Sequence, residues 1–182
     1  MRMLGAVLAV CVLSAVNAEE LQDLPAKDLT LKIPAAWKKE ESKSPMRAAQ
    51  ARIPALEGDK EDAELVVFTF PGGGSIEANL QRWVGQFKPE DRTASLVKGK
   101  CAHGAYWLLD VVGTYKKTVG APMSGKTEDA PGMRMLAIIL PLEGKGQYFL
   151  KLTGPDKTAA AQKDALRASV GGDKASEEET KL

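Results

Sequence analysis

Two stretches of this chain carry apolar side chains at neighbouring positions rather than at alternate ones. They are residues 65–70, which end at Pro71, and residues 135–140, which follow Gly132. Successive side chains of a β-strand point to opposite faces of a sheet, so a strand that is apolar on both faces is covered on both. The chain must therefore fold around a central sheet with other elements packed on each side.

Two segments predict helices that can form these covering layers. The first begins after Ser75, a residue type that caps helix N-termini, and stops at Lys88 and Pro89. Its apolar side chains recur at helical spacing, at Ile76, Leu80, Trp83, Val84 and Phe87. The second segment is alanine-rich, runs over about residues 157–170 and follows a proline, which suits the first turn of a helix.

The remaining regular segments predict strands. Residues 29–33 and 147–153 alternate with period two, and residues 94–100 and 105–116 form a hairpin that turns at 102–104. Residues 46–53 are ambiguous, because their alanines favour a helix whereas a strand would pair with residues 65–70. This order predicts an α+β fold, a mostly antiparallel sheet of about six to seven strands flanked by two main helices.

The first eighteen residues have the pattern of an export signal. Arg2 provides a positive charge, residues 4–13 are apolar or small, and small side chains lead to Ala18. Ten residues rise about 15 Å in a helix, which is half the thickness of a bilayer core, so no transmembrane span is expected. We expect cleavage after Ala18 and a periplasmic or extracellular protein. The alternative is a lipoprotein, because residues 8–11 resemble a lipobox that ends at Cys11.

After cleavage the chain divides into a polar lead-in (19–27), a single α+β domain (28–170) and a disordered, acidic tail (171–182). The full sequence has 25 basic and 24 acidic side chains, and loss of Arg2 makes the exported protein formally neutral. A neutral chain without a basic face is not expected to bind nucleic acid. Cys101 remains without an intramolecular partner, so no disulfide framework is available and both a monomer and a dimer stay open.

Three segments carry a resemblance to a known family. Residues 33–37 (IPAAW), residues 79–83 (NLQRW) after the glycine-rich link, and residues 148–155 (YFLKLTGP), in this order of elements, resemble the PsbP-like fold. A photosystem extrinsic protein, a Ran-interacting nuclear import factor and many exported bacterial proteins share that fold, and the chain looks most like the last group. The resemblance implies an αβα sandwich, a strand at residues 46–53 and a role in binding, and it transfers no catalytic residue.

The segment that joins residues 65–70 to the first helix is a candidate binding site. Backbone N–H groups at a helix N-terminus attract anions, but this loop lacks the lysine of a P-loop, and a tight turn also explains its glycines. A loop is also expected over residues 119–131. If a partner or small ligand binds, the loop over residues 119–131, the loop at the helix start and the exposed side of the helix are the expected contacts. The residues named at the last two are Gly72, Gly73, Gly74, Ser75, Asn79, Arg82 and Gln86.

Three other residues are the basis for alternative functions. Cys101 and His103 could hold a soft metal such as Cu(I), although further ligands would be needed and Met123, Met133 and Met135 are the available thioethers. Asp110 lies within an apolar strand, where a buried carboxylate could serve a hydrolase, or could pair with Arg82 or Arg134. The simpler interpretations are that Cys101 and His103 are an inert pair in a turn and that Asp110 has a structural role.

The sequence therefore favours an exported binding or interaction domain of the cell envelope, with no cofactor and no catalytic residues. A periplasmic copper-handling protein and a hydrolase centred on Asp110 remain as alternatives, and the enzyme question stays open.

Overall fold

The computed structural model describes residues 20–42, 44–70, 72–120 and 125–182. The expected export signal, its cleavage point after Ala18 and the alternative lipidation at Cys11 all lie outside the described residues. So does Met123. Within the described ranges, no helix is both long enough and apolar enough to cross a membrane.

The described chain contains ten strands and three helices. In chain order they are β1 (Leu21–Ala26), β2 (Leu29–Pro34), β3 (Lys38–Glu40), β4 (Arg47–Ile53), β5 (Ala63–Phe70), α1 (Ile76–Val84), β6 (Thr93–Cys101), β7 (Gly104–Thr118), β8 (Thr127–Leu142), β9 (Gly146–Pro155), α2 (Asp156–Ala160), α3 (Lys163–Ser169) and β10 (Asp173–Glu179).

Eight strands form one antiparallel sheet in the order β10-β6-β7-β8-β9-β5-β4-β3, and β1 and β2 form a separate hairpin. The strands that are apolar on both faces lie inside the sheet, as their sequences predict. The ambiguous residues 46–53 contain a strand, and β4 pairs with β5 as the hairpin interpretation predicts. The α+β class is confirmed, whereas the predicted strand number is too low.

The first face of the sheet is covered by the β1–β2 hairpin together with α2 and α3. Alternate residues of β2 enter this core, and Leu31 and Ile33 are fully buried. Trp37, which follows β2, is 2% exposed and its indole Nε1 donates a hydrogen bond to Gln162 Oε1 at 3.0 Å. That bond joins the hairpin to the segment between α2 and α3.

The second face is covered by α1. Ser75 caps this helix as predicted, since its Oγ accepts a hydrogen bond from the backbone N–H of Ala78 at 3.1 Å. Leu80 and Trp83 point into the sheet, and Trp83 meets the ring of Phe149 edge-on with centroids 5.9 Å apart. The helix ends at Val84, and a helix of nine residues spans only about 13 Å. The second face therefore extends beyond the helix that covers it.

Two terminal segments of the described chain, the lead-in and the tail, are more ordered than the sequence predicts. The lead-in contains β1, which buries Leu24 and Ala26 while its other residues face outward. The tail predicted to be disordered contains β10, which pairs with β6 at the edge of the sheet, so that prediction is wrong. The tail has no apolar stripe, but its Glu177 forms an ion pair with the buried Arg167, and that contact is not visible in a local pattern.

Two further predictions need correction within the domain. The alanine-rich helix is divided into α2 and α3 at residues 161–162, where Gln162 leaves helical geometry and binds Trp37. The loop expected over residues 119–131 is shorter, because β7 continues to Thr118 and β8 begins at Thr127. These two long strands form an extended hairpin that reaches past the end of α1, where the bridge between Phe87 and Tyr115 joins them to the helix end.

Candidate functional site

The part of the second sheet face that α1 leaves uncovered contains a groove around Lys151. Strand alternation places Lys151 and Thr153 of β9 on the same face as Phe149, which packs under α1. In the register, Lys151 lies opposite Ala137 of β8 on one side and Val66 of β5 on the other. A lysine thus stands in the middle of the sheet, next to the end of the apolar core.

The extended β7–β8 hairpin forms one wall of the groove. A cavity of about 370 Å³ lies between this wall and the outer strands, and its lining includes Arg47, Glu64, Phe68, Tyr115, Lys151 and Thr153. A second cavity of about 490 Å³ is lined by Gln86, Tyr115, Lys116 and Lys151, among others. Lys151 and Tyr115 line both cavities, so the lysine side chain borders each of them. We call these two cavities together the Lys151 groove.

Neutral groups hold the Lys151 amine in place. Nζ donates hydrogen bonds to Gln86 Oε1 at 2.6 Å and to the Tyr115 hydroxyl oxygen at 3.1 Å, and it lies 5.2 Å from the centroid of the Tyr115 ring. No carboxylate of the described residues lies within 4.0 Å of this nitrogen. Two neighbouring cations differ, because each of them pairs with a carboxylate. Arg47 pairs with Glu64 at 2.7 Å and Lys117 pairs with Glu61 at 3.0 Å.

This setting changes the proton affinity of both groups. Burial lowers the pKa of Lys151 to about 8, and Glu64 opposes the shift while Arg82 and Arg47 add to it. Burial also raises the pKa of Tyr115, and the negative charge of Glu64 acts in the same direction. At pH 7 about a tenth of the Lys151 amines are therefore neutral, while the Tyr115 hydroxyl keeps its proton.

Thr153 supplies an unused polar atom beside the lysine. Its Oγ1 is buried and has no hydrogen-bond partner among the described residues, and Thr153 lines the same cavity as Lys151. Buried polar atoms are paired in the great majority of cases, so each exception calls for an explanation. A ligand in the groove that hydrogen-bonds to this hydroxyl would provide the missing partner.

The residues expected from sequence to bind a ligand differ in their burial and in their contacts. Asn79 is buried rather than exposed, because its Nδ2 donates to the carbonyls of Gly73 at 2.7 Å and Ser75 at 2.9 Å. Its Oδ1 accepts a hydrogen bond from Arg82 Nη2 at 2.7 Å. Asn79 therefore closes the glycine loop onto α1 and does not face outward. The loop also contacts Gln147, whose Nε2 donates to the carbonyl of Gly74 at 3.0 Å.

Among those expected residues, Gln86 belongs to the Lys151 groove and Arg82 acts on it through charge. Sequence reasoning missed Lys151, Tyr115 and Thr153. The alternation of residues 147–153 was visible and places Lys151 and Thr153 on one face with Phe149. The sequence predicted that the helix continues to Lys88 and Pro89, whereas α1 ends at Val84. This earlier end decides which of these side chains meet a cavity.

The candidate metal ligands lie in the tight turn between β6 and β7. The backbone N–H of His103 donates to Cys101 Sγ at 3.4 Å, and the His103 side chain is exposed. Met133 and Met135 are buried in the core beneath α1. In the described ranges, no group of three histidine, cysteine or acidic side chains could hold a metal ion.

Asp110 lies on the opposite face of the sheet, beside α2 and α3. It is 8% exposed, and its two carboxylate oxygens accept hydrogen bonds from Arg134 at 2.6 Å and from Lys163 at 2.9 Å. Arg134 also pairs with Asp156 at 2.7 Å. Of the two pairings considered from sequence, the one with Arg134 is present. A carboxylate with both oxygens bound to cations joins α3 to the sheet and is poorly suited to accept a proton from a substrate.

These layers define an α+β sandwich, with a ligand-sized groove where the sheet extends past its covering helix. The solution structure of cyanobacterial PsbP (CyanoP) from Synechocystis sp. PCC 6803 is similar to this chain, with a TM-score of 0.46 and 19% sequence identity. The match covers 95% of this chain and 99% of that one. PsbP gives its name to the fold that the sequence resembles, and the similarity concerns the fold alone. No protein-family model matches the chain, and no curated protein matches it in sequence.

Proposed function

We propose that this protein is a non-enzymatic binding protein of the cell envelope, and that the Lys151 groove binds a small ligand with a carboxylate or a similar acceptor group. The observation that carries the proposal is the position of Lys151. Its ammonium form is a cation that lines two cavities and has neutral partners, while the other cations of the first cavity, Arg47 and Lys117, pair with carboxylates.

The chemistry of the groove supports this class of ligand. An acceptor oxygen on Lys151 would form a charge-assisted hydrogen bond, which contributes about 1.5–3 kcal/mol. Thr153, whose buried hydroxyl would need a small side-chain rotation to reach a ligand, lies beside the amine, and Phe68 and Tyr115 provide apolar surface. A volume of about 370 Å³ lies in the range of small-molecule sites, which combine apolar walls with a few polar groups.

Benzoate and benzamide, which have the same shape and differ in charge, test the proposal. We expect benzoate to shift the backbone NMR signals of Val66, Lys151 and Thr153 in the ¹⁵N-labelled chain without residues 1–18, and benzamide to shift them far less. Lys151→Met should remove the benzoate response, whereas Lys145→Met, which changes an exposed turn, should leave it intact. Benzoate shifts that persist in Lys151→Met, or an absence of shifts at these residues, would contradict the proposal.

Export is proposed from Arg2, the apolar run and the small residues that end at Ala18. Expression of the full chain in a bacterium with a periplasm, followed by intact-mass analysis, should show a periplasmic product that begins at Glu19. A lipid-modified product that begins at Cys11 would establish the lipoprotein alternative instead. Accumulation of the uncut chain in the cytoplasm would contradict export.

A further inference from the structure

We propose that the Lys151 amine forms a reversible imine with a small aldehyde ligand, so that the groove captures its ligand covalently. This inference rests on the binding function proposed above and specifies its ligand class. Three observations support it: the number of hydrogen-bond acceptors around the amine, the two cavities that the lysine side chain borders and the phenol beside the amine.

The hydrogen bonds around Nζ fit the neutral amine. A neutral amine has two N–H groups and one lone pair, and two acceptors are in place, Gln86 Oε1 at 2.6 Å and the Tyr115 oxygen at 3.1 Å. The remaining tetrahedral position has no further hydrogen-bond partner among the described residues. In the neutral form that position is the lone pair, which is the nucleophile that a carbonyl carbon requires.

The charged groups around the amine act in both directions. The positive charges of Arg82 on α1 and Arg47 on β4 favour the neutral amine, whereas Glu64 of β5, which pairs with Arg47, favours the charged form. The two cavities of the groove are also lined by the charged side chains of Glu61, Asp62, Lys116 and Lys117. Tyr115 of β7 lies beside the amine, and burial raises its pKa, so it is uncharged at neutral pH. Burial lowers the pKa of Lys151 to about 8, so the neutral amine is present near neutral pH.

The reaction needs no oxidant, reductant or cofactor. The Nζ lone pair attacks the aldehyde carbon, the carbonyl π electrons move to oxygen, and proton transfer from nitrogen to oxygen gives a neutral carbinolamine. The hydroxyl then takes a proton and leaves as water, the nitrogen loses its last proton, and the carbon–nitrogen double bond forms. Tyr115 is placed to donate the proton to the leaving hydroxyl, because its oxygen lies 3.1 Å from Nζ. Solvent in the cavities returns that proton.

A trapping experiment with 4-carboxybenzaldehyde tests the inference. The probe is mixed with the chain without residues 1–18 at pH 7, imines are reduced with cyanoborohydride, and the modified lysines are identified by peptide mapping. We expect Lys151 to react at least about tenfold faster than the exposed Lys145, whose amine has no such burial. Labelling of Lys151 should rise with pH around a midpoint near 8.

Two variants serve as controls. Lys151→Arg keeps the positive charge but cannot form an imine, so it should lose the fast adduct while the exposed lysines still react slowly. Tyr115→Phe, which removes the hydroxyl beside Nζ, should slow imine formation. Equal labelling of Lys151 and Lys145 in the wild-type chain, which requires no variant, would overturn the inference. Benzoate binding that depends on Lys151 without fast labelling would leave the binding function intact and reject the imine.

Discussion

Lys151 combines a position in the middle of a sheet with access to solvent-filled cavities. Its neighbours along β9 on the same face, Phe149 and Thr153, lie under α1 and in the first cavity respectively. The amine thus stands at the boundary between an apolar core and a polar groove. Such a boundary is where partial loss of hydration changes proton affinity while a ligand still has access to the group.

The lowered pKa of Lys151 has a consequence for stability. The ordinary pKa of a lysine is 10.5, so between about pH 8 and pH 10.5 the unfolded chain holds a proton that the folded chain has released. Raising the pH through this window therefore stabilises the folded state, by up to about 1.4 kcal/mol per pH unit, and below pH 8 the cost of the buried charge is constant. The wild-type free energy of unfolding should rise across the window relative to that of Lys151→Met, as measured by urea denaturation.

Lys145→Met is the matched control for this measurement, because Lys145 is exposed in the turn between β8 and β9. Its free energy of unfolding should follow the wild type at every pH. A constant difference between wild type and Lys151→Met from pH 7 to pH 10.5 would show that Lys151 has an ordinary proton affinity in the folded chain.

The sequence predicted that Asn79 contacts a ligand. In the structure, Asn79 instead joins the loop of residues 72–75 to α1 through its hydrogen bonds. Asn79→Ala would leave the carbonyls of Gly73 and Ser75 and the guanidinium of Arg82 without their partner. The loss should destabilise the fold by about 1–3 kcal/mol, which chemical denaturation can measure. Gln81→Ala on the exposed side of α1 is the control and should change stability by less than about 0.5 kcal/mol. Equal effects of the two substitutions would argue against this role.

At the scale of single elements, one acidic side chain joins β10 to α3, in addition to the pairing of β10 with β6. Glu177 binds the guanidinium of Arg167 through both carboxylate oxygens and accepts a hydrogen bond from the Tyr106 hydroxyl at 2.8 Å. The side chains of Arg167 and Glu177 are only 5% and 11% exposed. The contact of Arg167 with Asp164 involves a carboxylate that faces solvent. Glu177 is therefore the main partner of a buried cation.

Glu177→Ala should destabilise the protein by about 3 kcal/mol, because it leaves the buried charge of Arg167 with a single exposed partner. Glu178→Ala removes an exposed carboxylate from the neighbouring position and should have an effect below about 0.5 kcal/mol. Thermal and urea unfolding of both variants provide the measurement. A small effect of Glu177→Ala would mean that Asp164 alone can compensate the guanidinium.

The junction of β5 and β9 depends on the absence of a side chain at Gly154. A Cβ at this position would overlap Ala63 Cβ and lie 2.7 Å from Ala63 Cα. Gly154→Ala should therefore force the two strands apart and cost about 1–3 kcal/mol in the free energy of unfolding. Gly72→Ala is a suitable control, because no atom of the described residues beyond its chain neighbours lies within 4 Å of its Cβ position. Equal melting temperatures for the two variants would contradict this account of the packing.

These elements differ in how far the sequence predicts them. The helix start at Ser75 and the hairpin of β6 and β7 depend on neighbouring residues, and both were predicted correctly. The strand β10 depends on the contact of Glu177 with Arg167, ten positions away in sequence, and an acidic segment without an apolar stripe gives no local sign of it. The break between α2 and α3 likewise depends on Trp37, which lies 125 positions from Gln162.

At the scale of the whole molecule, the groove follows from a difference in length between layers. Strands β7 and β8 have 15 and 16 residues, whereas α1 has nine. At about 3.3 Å per strand residue and 1.5 Å per helix residue, the helix covers only about a quarter of their length. The requirement for two covering layers could be predicted from the apolar strands, but the place where coverage ends could not, because it depends on where the helix lies on the sheet.

The edge position of β10 also affects whether copies of the molecule associate with one another. The neighbouring strand in the sheet is β6, which has nine residues, and its Lys98 and Lys100 lie opposite Glu178 and Asp173 of β10. A strand of this length with unpaired backbone groups is a template on which a second chain can add, and natural sheets protect such edges. The other edge of the sheet, β3, has only three residues, all of them charged.

A chain that ends at Gly172 should therefore associate at rising concentration, as detected by size-exclusion chromatography with light scattering. A synthetic peptide of residues 173–182 should reverse the association by occupying the edge again, whereas a peptide with Glu177→Ala should do so less well. Association that the peptide does not affect would point to another surface. On this account, the acidic segment that resembles a solvated tail occupies the edge of the sheet and prevents the addition of further strands from other copies of the chain.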